Sequence, residues 1–146
     1  MVFLGSDHGG FELKEGIKKH LLKIEVSHVD CGIFEKTVSD YPEIARLVAK
    51  NVAQNDENFG IICCGSGIGV NIAANKVYGI RAALCVDKCY AKMARLHNDA
   101  NIICLGGRFL SLDGSIEIVD VFLTTKFEGG RHKTRVKKIE VKNGRV

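Results

Sequence analysis

Short runs rich in β-branched residues alternate along this sequence with longer segments whose apolar residues recur at helical spacing. The β-rich runs cover residues 2–5, 25–30, 60–64, 82–86 and 102–105. A helix between two such runs carries the chain back across the sheet, so the strands run parallel. The alternation therefore predicts an α/β fold, in which helices cover both faces of a Rossmann-like, doubly wound sheet of five parallel strands.

Each interval between the runs carries helix signals. The clearest start lies after the second run, where Asp40 can cap a helix, Pro42 suits its first turn and Glu43 completes an Asp-x-x-Glu capping arrangement. Its expected buried stripe is Ile44, Leu47, Val48 and Val52. Five other helices are predicted. One fills the first interval, one begins near Gly69 and one begins near Asp87. The last two cover about residues 115–125 and follow residues 128–132.

The size and composition of the chain predict one domain over residues 1–146. With 46% hydrophobic and 26% charged residues, it matches a compact globular domain. No basic segment followed by a long apolar one opens the chain, and no apolar run reaches the roughly 18 residues that span a bilayer. We therefore expect a cytoplasmic protein with no membrane partner.

Six cysteines are compatible with free thiols in a reducing compartment. No C-x-x-C pair occurs, and the adjacent Cys63 and Cys64 should point to opposite faces of a strand. This arrangement does not suit a structural metal site, so none is expected.

The net charge of +4 is concentrated at the end of the chain. Residues 131–146 hold seven Lys or Arg and one Glu. The segment has no aromatic residue on which a base could stack, so we expect a mostly solvated basic face and no nucleic-acid partner.

Chemically suggestive residues follow three of the predicted strands. Asp7 and His8 follow the first, residues 64–69 follow the third, and Arg108 comes soon after the fifth. Ligands of doubly wound sheets lie outside the carboxyl ends of strands, where the strand order reverses. His97 and Asn98 end the fourth helix, and their pattern alone does not place them in space.

The glycine-rich loop after the third strand is the strongest local signal. Gly65, Gly67 and Gly69 permit a tight turn whose N–H groups converge on an anion. A dinucleotide fingerprint is the alternative, with Asp87 holding a ribose. Two observations oppose the dinucleotide fingerprint. Val70 stands in place of the third glycine, and the chain is too short for two nucleotide-binding halves.

Several of these side chains have both a chemical and a structural interpretation. Cys64, at the mouth of the loop, could act as a base or could be a small buried hydrophobe. Ser66 could relay a proton or bond only its own backbone. Asp7, His8 and His97 could equally be turn or capping residues without a catalytic role.

Arg131 and Arg135 are spaced to lie one helical turn apart after a Gly-Gly hinge. Two guanidinium groups at this spacing can clamp a phosphate, and a solvated basic face is the alternative.

Taken in order, motifs over nearly the whole chain resemble the type B ribose-5-phosphate isomerases. The family also includes isomerases of galactose 6-phosphate and allose 6-phosphate. The motifs are Ser6-Asp7-His8, residues 11–14, Asp40-Tyr41-Pro42, residues 64–69, residues 73–76, Gly79-Ile80-Arg81-Ala82, His97-Asn98-Asp99 and Gly129-Gly130-Arg131-His132.

The resemblance implies an isomerase that interconverts ribose 5-phosphate and ribulose 5-phosphate without a metal or other cofactor. It implies that Cys64 moves a proton between C2 and C1 through an enediolate, whose oxygens the loop and Ser66 stabilise. The loop residues concerned are Gly65, Gly67, Ile68 and Gly69.

Further roles are implied by the same resemblance. Asp7 and His97 would assist sugar-ring opening, and Asn98 would contact the sugar. The phosphate would be bound by His8, Arg108, Arg131 and Arg135. Members of the family form homodimers whose sites use both chains, with a dimer of dimers as a further assembly.

The sequence departs from the family pattern at two positions. Ser66 stands where many relatives have Thr and keeps the hydroxyl, whereas Ile33 replaces a usual Thr in the loop after the second strand. Some relatives lack the catalytic Cys and have a Glu at the place of Val70, so Cys64 assigns this chain to the Cys subgroup.

Two functions are alternatives to a ribose-5-phosphate isomerase. One is an isomerase of a six-carbon sugar 6-phosphate, and the other is a noncatalytic sugar-phosphate-binding protein.

Overall fold

A parallel five-stranded sheet forms the centre of the structure, a computed structural model that describes residues 1–140. The strands lie side by side in the order β2-β1-β3-β5-β4, and all four pairings are parallel. Their bounds are β1 (Val2–Ser6), β2 (His28–Asp30), β3 (Phe59–Cys64), β4 (Ala82–Leu84) and β5 (Ile102–Gly106). The predicted five-stranded parallel sheet is confirmed.

Helices cover both faces of this sheet. They are α1 (Phe11–Lys23), α2 (Tyr41–Val52), α3 (Ile68–Ala74), α4 (Lys88–Asn98), α5 (Leu112–Thr124) and α6 (Arg131–Lys137). One core layer contains residues of α1, α4 and α5, and the other contains residues of α2 and α3. From β1 the chain goes first to β2 and then returns to β3 on the other side of β1, so the strand order reverses there. The fold is a doubly wound single domain.

The two adjacent cysteines at the end of β3 belong to opposite layers. Cys63 packs in the core under α1, α4 and α5, whereas Cys64 packs in the core under α2 and α3. Complete burial raises the pKa of the Cys63 thiol well above its usual range. The predicted opposite orientation of the two side chains is confirmed.

The buried face of α2 differs from the predicted stripe. Its buried residues are Ala45, Val48, Ala49 and Val52, while Leu47 is 45% exposed, so that part of the prediction is wrong. Ala45 and Ala49 lie one turn apart on the buried face with Val48 and Val52, and Leu47 lies on the other side of the helix. Asp40 occupies the N-cap position but makes no capping hydrogen bond through its side chain.

Three predicted boundaries also shift. β2 is shorter than residues 25–30. Glu25 adopts a left-handed conformation (φ 57°), and Val26 N–H donates to the Leu21 carbonyl, so both belong to the turn after α1. β4 ends at Leu84, two residues earlier than predicted. α5 begins three residues earlier than predicted, because the Ser111 hydroxyl accepts a hydrogen bond from the Gly114 N–H and caps the helix.

The outer edge of β4 is paired with a side chain. The amide of Asn75 donates to the carbonyl of Ala82 and accepts from its N–H, both at 2.9 Å. Asn75 thereby occupies the position that a further strand would take. Across residues 1–140, no helix has the length and apolar character needed to cross a bilayer.

Candidate active site

The carboxyl ends of β1, β3 and β5 bring the first group of predicted site residues together. These strands are neighbours, and backbone hydrogen bonds tie the segments that come after them. Asp7 N–H donates to the Cys63 carbonyl at 3.3 Å, and Arg108 N–H donates to the Gly65 carbonyl at 3.1 Å. Asp7, His8, the glycine-rich loop and Arg108 therefore share one edge, at the reversal of strand order.

Cys64 is held under the glycine-rich loop. Its side chain is 4% exposed, and its Sγ accepts a hydrogen bond from Gly67 N–H at 3.0 Å. Gly67 has a left-handed conformation (φ 79°), and a Cβ there would come within 2.6 Å of Leu84 Cδ1. This conformation folds the loop back so that a backbone donor faces the sulfur.

Next to the other loop residues lie a polar group, the Ser66 hydroxyl, and an aromatic ring, that of Tyr41. Ser66 Oγ accepts from Ile68 N–H at 3.3 Å, as the structural interpretation of this serine predicted, while its side chain stays partly exposed. The ring of Tyr41 lies against Gly69, where a Cβ would come within 2.7 Å of ring carbons. Tyr41 was not among the predicted site residues, although its place at the start of α2 brings it to the carboxyl edge.

Asp7 shapes the turn after β1. It is 8% exposed, and its Oδ1 accepts from Gly9 N–H at 2.8 Å and from Gly10 N–H at 3.0 Å. The turn role considered from the sequence is therefore present. Beside it, the buried Nδ1 of His8 has no hydrogen-bond partner among the described residues. A buried ring nitrogen of this kind is suited to a ligand that enters the edge.

Arg108 lies close to the backbone of Gly65. A Cβ at Gly65 would be 3.1 Å from Arg108 Cζ, so the absence of a side chain leaves room for the guanidinium. Arg108 itself is exposed. Its charge is thus available to an anion next to the loop.

The second group of predicted residues lies at the opposite edge of the sheet, where the strands begin, which we call the amino edge. α4 runs back from the carboxyl edge and ends at Asn98, just before β5 begins, and α6 packs against α4. This places His97 and Asn98, together with the exposed Arg131 and Arg135 of α6, away from Cys64 in the same chain.

Two histidines stack within this second group. The rings of His97 and His132 are 4.3 Å apart at an interplanar angle of 6°. His132 is 5% exposed, and its burial, together with the neighbouring His97, lowers its pKa. The carboxylate of Glu128 lies 3.8 Å from His97 Nε2 and 4.0 Å from His132 Nε2. Neither His132 nor Glu128 was predicted as a site residue, although His132 belongs to one of the motifs.

Arg81 fixes the turn that carries Asn98. Its Nε donates to the carbonyls of Asn98 at 3.1 Å and Asp99 at 2.9 Å, and its Nη2 bonds the Asp99 carboxylate at 3.3 Å. Arg95 bonds the other Asp99 carboxylate oxygen at 2.8 Å. The orientation of the helix end that presents His97 and Asn98 is therefore set by two guanidinium groups.

Known proteins resemble this chain over almost its full length. A family model described as Ribose/Galactose Isomerase matches residues 2–139. The probable ribose-5-phosphate isomerase B of Mycoplasma pneumoniae is 47% identical, with 94% of this chain and 91% of that protein covered.

Solved structures show the same fold. The ribose 5-phosphate isomerase of Thermotoga maritima superposes with a TM-score of 0.93 at 45% identity, covering 95% of this chain and 96% of that one. The ribose-5-phosphate isomerase B of Mycoplasma genitalium, solved with bound ribulose-5-phosphate, superposes with a TM-score of 0.92 at 46% identity, covering 94% and 92%. The chain belongs to the ribose/galactose isomerase family.

Proposed function

We propose that this chain is a ribose-5-phosphate isomerase of type B, which interconverts ribose 5-phosphate and ribulose 5-phosphate. The observation that carries the proposal is the Cys64 thiol beneath a loop N–H, at the same edge as Asp7, His8 and Arg108. Relatives that cover almost the whole chain are named for this reaction, which supports the choice of substrate.

The proton transfer is assigned to Cys64. As a thiolate it removes the proton from C2 of the open-chain aldose, and the electrons left behind form an enediolate. The Cys64 thiol then returns that proton to C1, while Ser66 passes the O2 proton to O1, so that a ketone forms at C2. Negative charge on the enediolate oxygens is stabilised by N–H groups of residues 65–69 other than those of Gly67 and Ile68, which donate to Cys64 Sγ and Ser66 Oγ.

Cys63 is unsuited to this role although it is the next residue. Its side chain points into the opposite layer, and burial raises the pKa of its thiol. The assignment of the base to Cys64 therefore depends on which face of β3 each thiol occupies.

The roles of the other site residues follow the resemblance. Asp7 and His97 assist the opening of the sugar ring, and Asn98 contacts the sugar. Phosphate is bound by His8, whose Nδ1 lacks a partner among the described residues, and by Arg108, Arg131 and Arg135.

These roles require two chains. Cys64 and His97 lie toward opposite edges of the sheet, and the five residues of β5 alone span about 16 Å. One pentose phosphate does not bridge that distance within a chain. A homodimer in which the carboxyl edge of one chain faces the amino edge of its partner completes each site.

Exposed apolar side chains support a packing surface for the second copy on α3 and α4. Ile68 and Ile72 of α3 are 54% and 57% exposed, and Tyr90 and Met93 of α4 are 58% and 40% exposed. Tyr90 and Met93 also line a groove with Asn98. A second copy that covers these helices buries apolar surface and approaches both groups of site residues.

The proposed enzyme works in the cytoplasm and uses neither metal nor other cofactor. Its six cysteines are free, as expected for a reducing compartment. The proton transfer needs only the thiolate, the Ser66 hydroxyl and the loop N–H groups.

The test is incubation with ribose 5-phosphate while the formation of ribulose 5-phosphate is monitored. Allose 6-phosphate and galactose 6-phosphate, assayed in parallel, decide between the substrates of the family. Turnover highest with ribose 5-phosphate is expected. Binding of all three without turnover would instead identify a noncatalytic sugar-phosphate-binding protein.

A further inference from the structure

A cluster of metal-ligating side chains lies at the amino edge, apart from the Cys64 thiol. Within residues 1–140, His97, Glu128 and His132 each bring a ligand atom within 4.8 Å of the other two. The Glu128 carboxylate faces Nε2 of both rings at 3.8 and 4.0 Å. Of the three residues, the proposed function uses only His97, in ring opening, and assigns no role to Glu128 or His132.

The backbone holds these three residues close together. His97 lies in the last turn of α4, and His132 lies in the first turn of α6. Glu128 precedes α6, and its N–H donates to the Leu96 carbonyl at 3.1 Å, which fastens this segment to α4. The proximity of the donors therefore results from packed elements and not only from the choice of side-chain rotamers.

We propose that His97, Glu128 and His132 bind a divalent transition metal of the zinc class, and that this metal inhibits the isomerase reversibly. Two imidazoles and one carboxylate form a donor set that suits Zn²⁺, Ni²⁺ or Cu²⁺. Mg²⁺ and Ca²⁺ prefer sites made of oxygen ligands and are not expected to compete.

Metal binding requires the ring stack to open. Zinc–ligand bonds of about 2.0–2.2 Å place tetrahedral donor atoms about 3.3 Å apart, closer than the donors are here. A metal also lies near the plane of each imidazole it binds, and two parallel rings 4.3 Å apart do not share a plane. His132 is nearly buried, whereas the side chain of His97 is 39% exposed and that of Glu128 is 55% exposed, so these two turn toward the metal.

Nearby positive charge makes the site weak and reversible. Arg131 Nε lies 3.5 Å from His132 Nε2, and Arg135 comes one turn later on α6. Their charges oppose a cation, and the Glu128 carboxylate offsets only part of them. Such a site suits a dissociable inhibitor better than a structural metal.

The inhibitory effect rests on the proposed function, because His97 is there assigned to ring opening. A metal that turns His97 out of the stack removes the imidazole from the sugar. Saturating ribose 5-phosphate should therefore weaken inhibition by zinc.

The binding test uses the full-length protein and zinc sulfate, with affinity measured by competition against a chromogenic chelator. Glu128→Gln removes one ligand and should weaken zinc binding at least about tenfold. Glu57→Gln, an exposed glutamate elsewhere, is the matched control and should bind zinc as the wild type does. Co²⁺ should give visible absorption typical of a four-coordinate site in the wild type, and this absorption should be lost in Glu128→Gln.

The activity test compares the same variants. Glu128 is exposed and its carboxylate lies 3.8 and 4.0 Å from Nε2 of the two rings, so Glu128→Gln should keep basal turnover within about fivefold of wild type. Zinc should inhibit the wild type and Glu57→Gln, a chelator should restore both, and Glu128→Gln should need at least about tenfold more zinc.

Equal zinc affinity in wild type and Glu128→Gln would overturn the proposal. Zinc binding that is lost in Cys64→Ser but kept in Glu128→Gln would also overturn it, because the metal would then sit on the thiol. Affinity and the cobalt spectrum are measured without turnover, so an inactive protein that binds zinc through Glu128 would contradict the proposed function and leave the metal site standing.

Discussion

The N–H of Gly67 donates to the sulfur of Cys64, three residues earlier in the chain, at 3.0 Å. The contact places a backbone donor beside the atom that is assigned the proton transfer. It also depends on the left-handed conformation of Gly67, so the chemistry and the turn are linked.

Replacing each of the adjacent cysteines should separate chemistry from packing. Cys64→Ala should lower kcat at least about a hundredfold, because loss of a general base usually costs that much. Cys63→Ala should keep near wild-type activity, since its thiol lies in the opposite layer. Steady-state rates with ribose 5-phosphate give the comparison, and equal rates in the two variants would contradict the assignment.

Gly67→Ala should lower the free energy of unfolding by more than the strain of a left-handed alanine alone explains. An alanine at φ near 80° costs roughly 1–2 kcal/mol, and the contact with Leu84 adds about 1–3 kcal/mol of overpacking. Gly79→Ala is the control, because Gly79 has φ 80° and nothing within 4 Å of its missing Cβ. Urea unfolding should show the larger loss for Gly67→Ala, and similar losses would show that Leu84 gives way.

Arg131→Ala should weaken substrate binding. A charge-assisted hydrogen bond contributes about 1.5–3 kcal/mol, so the apparent affinity for ribose 5-phosphate should fall roughly ten- to over a hundredfold, with a smaller change in kcat. Inhibition by inorganic phosphate should weaken in parallel. Lys138→Ala is the control on the same exposed basic segment and should change neither.

Two inactive variants should restore activity when mixed. If each site combines Cys64 of one chain with His97 of the other, a heterodimer of Cys64→Ala and His97→Ala has one intact site. Random exchange of subunits should then recover about a quarter of wild-type activity. An equal mixture that stays inactive after unfolding and refolding together would mean that each site lies within one chain.

Chelators should leave the activity of the purified protein unchanged. The proposed proton transfer uses only a thiolate, a hydroxyl and backbone N–H groups, so EDTA removes nothing that it needs. Rates before and after dialysis against EDTA provide the measurement. A loss that zinc or magnesium restores would require a metal in the mechanism.

The sequence predicted the order of the strands and helices, and the grouping of residues at the carboxyl edge of the sheet, for a physical reason. Alternating strands and helices force a parallel sheet, and its carboxyl edge brings together the loops after β1, β3 and β5. The prediction that Cys63 and Cys64 face opposite layers was confirmed because the side chains of a strand alternate.

Other features depend on contacts that local patterns do not encode. Leu47 fits a helical stripe of large apolar residues, but the buried face of α2 includes the small residues Ala45 and Ala49 instead. The stacking of His97 on His132 depends on how α6 meets α4, and sequence spacing within either helix does not report it.

The pairing of Asn75 with Ala82 bears on how copies of this chain avoid aggregation. An open sheet edge is a template for strand addition by another molecule. At β4 the Asn75 amide already satisfies the outward N–H and carbonyl of Ala82, and the strand is only three residues long. Growth of the sheet into a neighbouring molecule is thereby discouraged at this edge, and association is left to side chains on the helices.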